Sequence, residues 1–331
     1  MEIIAEVGSV HDGSIGNAKK LIEVSSKSGA SVVKFQCHIP EDESTLDAPN
    51  PSYFSGESRF EYFKRIQFTK NQWAELRDHC HRNNVKFACS VFSIESLRLL
   101  LSINADIIKV PSGEITNVPL LNEIRDNCVS TPIYLSSGMS TWEELNAAVD
   151  ILSLNDLSIF QCTSLYPAEP QNIGLNNINT MLQIYDFPVG FSDHSRGIEM
   201  SIAAVALGAT LVEKHITFSR DMYGSDAFNS LHPDEFCQMS AGIRNVKRAM
   251  ENPFDKNSVN EIAEMSEMKK TFQKGIYAKY VLEPGELISI QKLNFLKPEK
   301  GVPARLVDTV VGSVVNRRIP AGNPIYHEDI S

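Results

Sequence analysis

The chain has 331 residues, of which 42% are hydrophobic and 22% are charged, and its formal net charge is -10. This composition is that of a globular protein, and the acidic balance argues against a surface that binds nucleic acid or an anionic membrane. The apolar runs are shorter than the roughly 20 residues that span a bilayer. The start MEIIAEVGS lacks the basic segment of a signal peptide, and six scattered cysteines form no CxxC pair, so we expect a cytoplasmic protein with reduced thiols.

Eight short, nearly continuous apolar runs predict strands that are buried on both faces of a parallel sheet. They lie at 3–7, 31–36, 85–91, 106–110, 132–137, 157–163, 188–193 and 210–216. Helical patterns separate them, at 14–28, after Thr69, after Ser140, and at 117–127, 171–184, 196–207 and 233–250. Ser14 and Thr69 are predicted N-caps, and Ser140 with Glu143 has the spacing of a capping box.

Eight strand–helix units in about 250 residues predict a (β/α)8 TIM barrel, with a doubly wound sheet as the alternative. We therefore assign residues 1–250 to the barrel, 251–274 to a polar connector and 275–331 to a small β-rich domain. In the small domain, β segments are expected at 276–281 and 309–315. A domain of this size can bury only a small hydrophobic core by itself. We therefore expect it to pack against another part of the assembly, such as a partner subunit. The long loop at 37–68 is expected to be functional.

Two lysines lie inside predicted strands, where apolar side chains would pack better. Lys34 belongs to the second strand and Lys109 to the fourth, and serines follow several of the other apolar runs. Chemistry in a (β/α)8 barrel gathers at the carboxyl ends of the strands. Because buried lysines without partners are costly, an anion held by lysine and hydroxyl groups is favoured. The alternative is a structural network in which the lysines pair with Glu6, Glu114 or Glu213.

The seventh and eighth predicted strands each end in a histidine. His194 and His215 are therefore expected at matching heights on neighbouring strands. Neutral imidazole is a common metal ligand, and two aligned histidines favour a divalent metal site over two isolated hydrogen-bonded rings. A lysine in the same region is also compatible with a Schiff base, which keeps aldolase chemistry as an alternative.

Motifs across nearly the whole chain resemble the sialic acid synthase family. They read AEVGSVHDGS, VVKFQ, KVPSGE, LSSGMS, QCTSLYP, GFSDHS, AAVALGAT, EKHIT and SLHPDEF, and the end GSVVNRRIPAGNPIYHEDI resembles the family's antifreeze-like (SAF) domain. The resemblance implies a TIM barrel followed by a small β-clip SAF domain, in a domain-swapped homodimer. It also implies that phosphoenolpyruvate condenses with an N-acetylated amino sugar to give a nonulosonic acid and phosphate. The implied cofactor is a divalent metal, Mn2+ first, with Mg2+ or Co2+ as alternatives.

The resemblance also implies roles for individual residues. The phosphoenolpyruvate-binding set is Lys34, Ser90, Lys109, Ser112, Ser136, Ser164 and Ser192. The sugar-binding set is Gln36, Tyr166, Asp226 and Lys297, where Lys297 stands at a position that is arginine in many members. The metal ligands are His194 and His215, and the catalytic set is Glu114, Asp12 and Lys109.

The implied mechanism joins C3 of phosphoenolpyruvate to a sugar aldehyde that the metal polarises. Water then adds at C2, and phosphate leaves by cleavage of the C–O bond. Glu114 is predicted to manage the proton of the water, with Lys109 favouring its ionised form. A Schiff-base pyruvate aldolase and a non-catalytic carbohydrate- or ice-binding protein are the alternatives. Sugar specificity is expected in the 37–68 loop and in the 295–305 segment.

Overall fold

Eight parallel strands close into a barrel in the computed structural model, which describes residues 1–51, 54, 56–251 and 254–331. The strands follow chain order around the barrel, and the last pairs with the first. They are β1 Glu2–Gly8, β2 Val32–Cys37, β3 Lys86–Val91, β4 Ile107–Val110, β5 Ile133–Ser136, β6 Leu157–Cys162, β7 Val189–Asp193 and β8 Leu211–His215. The eight predicted strands are confirmed, and the doubly wound alternative is wrong because an open sheet has no pairing between its first and last strands.

Helices follow the strands. The helices are α1 Ile15–Lys27, α2 Pro40–Glu43, α3 Arg59–Ile66, α4 Lys70–Arg82, α5 Ile94–Ser102, α6 Val118–Asn127, α7 Trp142–Leu152, α8 Asn176–Ile184, α9 Glu199–Ala206 and α10 Pro233–Glu251. Most of them cover the outside of the barrel, whereas α3 contributes residues to the cavity at its end. The Ser14 and Thr69 caps are confirmed, since each side chain accepts a hydrogen bond from the third residue after it. No helix in the described part of the chain is long and apolar enough to cross a membrane.

Several helical segments differ from the sequence prediction. Helices α2 and α3 lie in the 37–68 segment, which was predicted as a loop. The pattern at 171–184 contains a short 3-10 helix, Pro170–Asn172, and then α8. Gly174 separates the two, because its φ of 66° lies outside the helical region. Helix α5 is absent from the predicted elements. Its capping box uses Ser96 at the position where glutamate or glutamine is the usual signal, so the sequence pattern is weak.

Side chains alternate along each strand between the barrel interior and the surrounding helices. In β8, for example, Leu211 packs in the interior whereas Val212 packs in the large core shared with the helices. The interior apolar cluster consists of Ile4, Val32, Ala88, Ile107, Tyr134, Phe160 and Leu211. This cluster closes the barrel interior below the polar residues that follow it on the same strands.

The second compact unit, Asn252–Ser331, follows the barrel unit Met1–Glu251. It contains α11 Ala263–Phe272 and an antiparallel pair of strands, β9 Gly275–Ala278 and β10 Leu293–Leu296. The predicted β segment at 309–315 is wrong as a strand. Val314 and Val315 form only single bridges, and Gly312, with a φ of 89°, interrupts the segment. The unit has a core of its own, formed by Ile276, Ala278, Leu282, Ile288, Leu293, Val302, Val310, Val315, Ile319 and Ile325.

The capping box of α7 lies one residue later than the predicted Ser140–Glu143 pair. Thr141 Oγ1 accepts a hydrogen bond from the Glu144 amide at 3.2 Å, and Glu144 Oε2 accepts one from the Thr141 amide at 2.8 Å. The amide of Ser140 already donates to the carbonyl of Ser137, so it needs no capping carboxylate. The sequence allows both registers, and the turn before the helix selects the second.

Replacing Thr141 with alanine should lower the free energy of unfolding by about 1 kcal/mol, because the Glu144 amide loses its acceptor and the Glu144 carboxylate loses the Thr141 hydroxyl donor. Ser140→Ala is the matched control, and it should change that free energy by less than about 0.5 kcal/mol. Urea unfolding of both variants provides the measurement. A larger effect at Ser140 than at Thr141 would show that the observed register is incorrect.

Candidate active site

A cavity of about 430 Å³ opens at the carboxyl ends of the barrel strands. This is the end of a (β/α)8 barrel where active sites lie. Most of the side chains predicted for the site line this cavity, although they come from every part of the barrel sequence. They are Lys34, Gln36, Ser90, Lys109, Ser112, Ser136, Ser164, Tyr166, Ser192, His194, His215 and Asp226.

One layer of side chains forms the bottom of the cavity. Nearly every member lies two residues after a member of the interior apolar cluster, and therefore on the same face of its strand. Strand pairing then places them side by side, with Glu6 opposite Lys34 and Ser192 opposite Glu213. The layer consists of Glu6, Lys34, Ser90, Lys109, Ser136, Cys162, Ser192 and Glu213.

Two lysines and two glutamates form a buried ionic cluster in this layer. Lys34 Nζ lies 2.9 Å from Glu6 Oε2 and 3.6 Å from Glu213 Oε1, and it donates a hydrogen bond to Ser90. Lys109 Nζ lies 3.4 Å from Glu213 Oε2. Among the described residues, however, Lys109 Nζ has no hydrogen-bond acceptor with good geometry. The ion pairs of the structural-network alternative are therefore present, and Lys109 retains donors for a further ligand.

Burial and neighbouring charges set different protonation tendencies within the cluster. Burial opposes ionisation of Glu213, but Lys109 and Lys34 lower its pKa to about 2. Burial raises the pKa of Glu6 to about 7, which Lys34 opposes and Glu213 reinforces. Burial lowers the pKa of Lys109, whereas Glu213 and Glu6 outweigh burial and raise the pKa of Lys34. The positive charge of Lys109 is thus less well balanced by neighbouring carboxylates than that of Lys34. An incoming anion would stabilise the charged form of Lys109 more than that of Lys34.

An aromatic ring supports Lys109 from below. Its Nζ lies 3.5 Å from the centroid of the Phe160 ring, in the interior cluster, and 5.9 Å from that of Tyr134. The face of an aromatic ring attracts an ammonium group, but it is a poor substitute for an oxygen acceptor. The contact therefore holds the ammonium group at the cavity floor and leaves its N–H donors available for an oxygen acceptor.

The two predicted metal ligands face each other at the cavity, with ring centroids 5.7 Å apart. His194 Nδ1 lies 2.8 Å from the carbonyl oxygen of Thr163, so this nitrogen donates and Nε2 keeps its lone pair. His215 Nδ1 is buried without a hydrogen-bond partner among the described residues, and burial lowers the pKa of His215 to about 4. Burial opposes protonation of His194 as well, but Cys162 and the Thr163 carbonyl outweigh burial and raise the pKa of His194. Each ring can ligate a metal in its neutral form.

This donor pair fits a first-row divalent ion that takes its remaining ligands from water and substrate. In the part of the chain that the structure describes, no group of three or more histidine, cysteine, aspartate or glutamate side chains is arranged around a common ion position. The divalent metal, Mn2+ first, stays a prediction.

Two glycines with positive φ make room for polar side chains of the site. A Cβ atom at Gly138, whose φ is 39°, would overlap the hydroxyl group of Ser112 and would crowd that of Ser164. A Cβ atom at Gly8, whose φ is 55°, would overlap the carboxylate of Asp226. Asp226 in turn accepts hydrogen bonds from the amide and hydroxyl groups of Ser9, both at 2.7 Å. The backbone of these glycines thus permits the observed positions of the three side chains.

Glu114 does not line the cavity, although Gly113 immediately before it does. Its carboxylate accepts a hydrogen bond from Asn117 Nδ2 at 2.7 Å. Burial raises the pKa of Glu114, and Asn117 and Arg59 oppose this rise. The predicted ionising effect of Lys109 on Glu114 is wrong, because Lys109 lies against Glu213 instead.

Asp12 and Lys297 each contact a side chain that is outside the predicted site set. The Asp12 carboxylate pairs with the guanidinium group of Arg65 at 2.9 Å. The backbone of Asp12 has a φ of 47°, which is unusual for a residue other than glycine. Lys297 belongs to the second unit, where its Nζ lies 5.3 Å from the centroid of the Phe272 ring. Asp12 therefore lies outside the cavity lining, and the role of Lys297 stays a prediction.

Several lining residues were not identified individually from the sequence. An aromatic wall, defined as Phe54, Tyr62, Phe63 and Phe92, forms part of the lining. Three of its members come from the 37–68 segment, which the sequence marked as functional but in which it distinguished no residue. The dense aromatic pattern of that segment, with Arg59 and His38 nearby, was the available signal. Cys162 also lines the cavity, with its Sγ 3.7 Å from His194 Nδ1.

The closed barrel, with its ionic cluster and paired histidines at the carboxyl ends of the strands, places the chain in the class of (β/α)8-barrel proteins with an active site at that end. Residues 21–269 match the NeuB family, and residues 273–331 match the SAF domain. The chain belongs to the NeuB family, and its C-terminal unit is a SAF domain.

Individual relatives are similar over almost their full lengths. The chain is 33% identical to N,N'-diacetyllegionaminic acid synthase of Campylobacter jejuni, covering 95% of this chain and 96% of the relative. It is 30% identical to human N-acetylneuraminate-9-phosphate synthase, covering 98% of this chain and 91% of the relative. A crystal structure of N-acetylneuraminic acid (sialic acid) synthetase from Leptospira borgpetersenii in complex with citrate superposes with a TM-score of 0.69 at 28% identity. That match covers 81% of this chain and 92% of the solved one.

Proposed function

We propose that this protein condenses phosphoenolpyruvate with an acylated amino sugar in its open-chain form, giving a nonulosonic acid and phosphate. The observation that carries the proposal is the position of Lys109. Its ammonium group is buried at the cavity floor beneath a ring of hydroxyl groups and has no hydrogen-bond acceptor with good geometry among the described residues. A phosphate or carboxylate group would complete its contacts. The named activities of the relatives support the same reaction class.

In this proposal, Lys34 and Lys109 hold the anionic groups of phosphoenolpyruvate together with the serine hydroxyls that line the cavity. They also stabilise the negative charge on the phosphate as it leaves. The ionised Glu213 lies against both lysines and keeps their ammonium groups in place when no anion is bound. The serines are Ser90, Ser112, Ser136, Ser164 and Ser192.

The reaction forms a bond between C3 of phosphoenolpyruvate and the aldehyde carbon of the sugar, whose oxygen takes up a proton. Water adds to C2 and loses one proton. The hydroxyl group so formed gives up its second proton as its oxygen becomes the C2 carbonyl, and the C2–O bond to phosphate breaks with its electron pair on the phosphate, which takes up that proton. Glu114 is our candidate acceptor for the proton of the water. His194 and His215 would hold a divalent metal, Mn2+ first, which supplies Lewis-acid polarisation of the aldehyde when it is bound.

We further propose that the sugar is acylated and unphosphorylated. The aromatic wall and Met139 give one side of the cavity an apolar surface, which suits the methyl groups of acetamido substituents. Arg59 also lines the cavity, but its guanidinium group already lies 5.6 Å from the centroid of the Phe63 ring. A sugar phosphate at this position would favour a cluster of basic groups. Gln36, Tyr166 and Asp226 are the proposed polar contacts of the sugar.

The proposal includes a homodimer in which the SAF domain, including Lys297, completes the site of a partner subunit. Domain exchange of this kind is implied by the family resemblance. Analytical ultracentrifugation would give the oligomeric state directly, and Lys297→Ala would test whether this residue affects the KM for the sugar.

Phosphate release from phosphoenolpyruvate, measured with a panel of sugars, tests the proposed function. The panel contains N-acetylmannosamine, a diacetamido-deoxyhexose and N-acetylmannosamine 6-phosphate, each with Mn2+ or with EDTA. We expect metal-dependent release with an unphosphorylated sugar and no inactivation by borohydride. Trapping of substrate on a lysine by borohydride, without phosphate release, would favour the aldolase alternative. If folded protein released no phosphate with any of these sugars, the proposal would be contradicted.

The pH dependence of kcat/KM tests the role of Glu114. A proton acceptor works in its ionised form, so the rate falls as the pH drops through its pKa. Burial raises the pKa of Glu114, so the acid limb should lie above the 4.5 of an ordinary glutamate. Glu114→Gln should lower kcat by about a hundredfold and remove this limb. Glu123→Gln, which affects an ion pair with Arg98 on the outer surface, is the matched control and should leave the profile unchanged. An unaltered acid limb in Glu114→Gln would exclude the role.

A further inference from the structure

Four side chains form a continuous hydrogen-bonded chain from the cavity floor to helix α2. Glu6 Oε1 accepts from Gln36 Nε2 at 2.7 Å, and Gln36 Oε1 lies 3.1 Å from His38 Nε2. His38 Nδ1 lies 2.9 Å from Glu43 Oε1 and 3.1 Å from Oε2. Glu6, Gln36 and His38 line the cavity, whereas Glu43 lies behind it at the end of α2. The reaction scheme above uses only the Gln36 member of this chain as a sugar contact.

The orientation of the Gln36 amide is determined by the contacts of its NH2 group and of its carbonyl oxygen. Its NH2 group faces Glu6, whose other oxygen contacts Lys34, so both oxygens of this carboxyl group face donors. Its carbonyl oxygen faces the ring of His38 and therefore needs an N–H donor there. A reversed amide would direct its carbonyl oxygen at the Glu6 carboxyl and its NH2 group at the ring. The observed orientation leaves the second N–H of Gln36 for a ligand in the cavity.

His38 is held in the orientation that this contact requires. Its ring is stacked between Phe63 and Phe92, with centroids 3.6 and 4.0 Å away and interplanar angles of 17° and 21°. Glu43 Oε1 lies 2.9 Å from Nδ1, and the Glu43 side chain is only 3% exposed. A buried carboxylate is costly without a partner, so the pair restrains both side chains. The two rings thus fix the plane of the imidazole, and Glu43 fixes its rotation.

We propose that His38 is a positioning residue for sugar recognition, acting through Gln36. By donating to the Gln36 carbonyl, it keeps the amide NH2 group directed at the substrate, where it binds an acceptor oxygen of the acylated sugar. Glu43 anchors the ring. This inference rests on the proposed function, and it adds a residue that determines affinity for the sugar but not for phosphoenolpyruvate.

Two substitutions at position 38 separate hydrogen bonding from packing. His38→Phe keeps a ring between Phe63 and Phe92 but removes the donor, whereas His38→Gln keeps a donor and removes the ring. We expect the KM for the sugar to rise about tenfold in His38→Phe, with the KM for phosphoenolpyruvate within twofold of the wild type. His38→Gln should lie closer to the wild type. If the ring mattered only for packing, the order of the two variants would be reversed, and that result would overturn the proposal.

A double-mutant cycle tests whether His38 acts through Gln36. In a Gln36→Met background, His38→Phe should cause no further rise in the KM for the sugar, because the amide that it positions is absent. Additive effects would instead mean that His38 contacts the sugar independently, which contradicts the proposal. Glu41→Gln is the control, since Glu41 lies in the same helix but pairs with Lys64 at the surface. Its kinetic constants should match those of the wild type.

A measurement without turnover distinguishes failure of this inference from failure of the proposed function. The side-chain NH2 resonances of Gln36 can be assigned by their loss in Gln36→Met. They should shift in His38→Phe, return towards the wild-type position in His38→Gln, and stay unchanged in Glu41→Gln. Identical Gln36 resonances in the wild type and His38→Phe would refute the positioning role, whether or not the enzyme releases phosphate.

Discussion

Replacing Lys109 with methionine is expected to lower kcat/KM for phosphoenolpyruvate by about a thousandfold, or about 4 kcal/mol. The ammonium group lies at the floor of the cavity, 3.5 Å from the centroid of the Phe160 ring, with no well-oriented acceptor among the described residues. Methionine retains the length and packing of the stem but cannot contact an anion. Steady-state kinetics and isothermal titration with phosphoenolpyruvate should show the loss in both turnover and binding.

Lys86→Met provides the control for this substitution. Lys86 is the first residue of β3 and therefore lies at the amino ends of the barrel strands, away from the cavity. Its exposed side chain pairs with Glu2. Its removal should leave kcat/KM within twofold of the wild type. Thermal unfolding should show that both variants are folded. If Lys109→Met bound phosphoenolpyruvate and turned over within threefold of the wild type, the anion site would have to lie elsewhere.

Replacing His215 with glutamine is expected to weaken Mn2+ binding by at least about a hundredfold and to abolish metal-dependent turnover. His215 is buried, neutral and without a hydrogen-bond partner at Nδ1 among the described residues, so ligation would account for its position. Electron paramagnetic resonance of free Mn2+ measures the affinity without relying on activity. Circular dichroism should show an unchanged fold.

The matched control is His81→Gln, in helix α4, where the ring is half exposed and pairs with Asp106. This variant should bind Mn2+ as the wild type does. Unchanged Mn2+ affinity in His215→Gln would refute the assignment of this residue as a ligand. Equal loss in both variants would indicate that the metal binds nonspecifically to surface histidines.

The strands could be predicted from the sequence because their signal is local. Each is a short run of apolar residues, and a parallel barrel needs both faces of every strand to be buried. The helix starts were less certain where two registers satisfied the same pattern, as with Ser140–Glu143 and Thr141–Glu144 at α7. The distinction depends on the hydrogen bond from Ser140 to Ser137 in the preceding turn, which the spacing of capping residues does not encode.

Much of the cavity lining could be predicted for a related reason. A polar residue two positions beyond an interior apolar residue shares its face, so Lys34 follows Val32 and Lys109 follows Ile107 into the barrel. What could not be predicted is which acid meets which base. The sequence left Glu6, Glu114 and Glu213 open as partners of the two lysines and predicted that Lys109 would favour the ionised form of Glu114. In the structure, Glu213 meets Lys109 from across the barrel.

The aromatic wall illustrates a second limit. Its members come from a loop, from helix α3 and from the turn after β3, and no periodicity relates Phe54, Phe63 and Phe92. Their proximity depends on how the segment between β2 and α4 folds over the barrel end. The connection from His38 to Glu43 is likewise visible only in three dimensions, although the two residues are close in sequence.

The most direct test of the central claim is to follow the bridging oxygen of phosphoenolpyruvate. The substrate is prepared with 18O between C2 and phosphorus, and the phosphate released in the presence of the preferred sugar is examined by 31P NMR. Condensation as proposed breaks the C–O bond, so the released phosphate should retain the 18O label. Phosphate without the label would mean that the P–O bond breaks, and the proposed condensation would be contradicted.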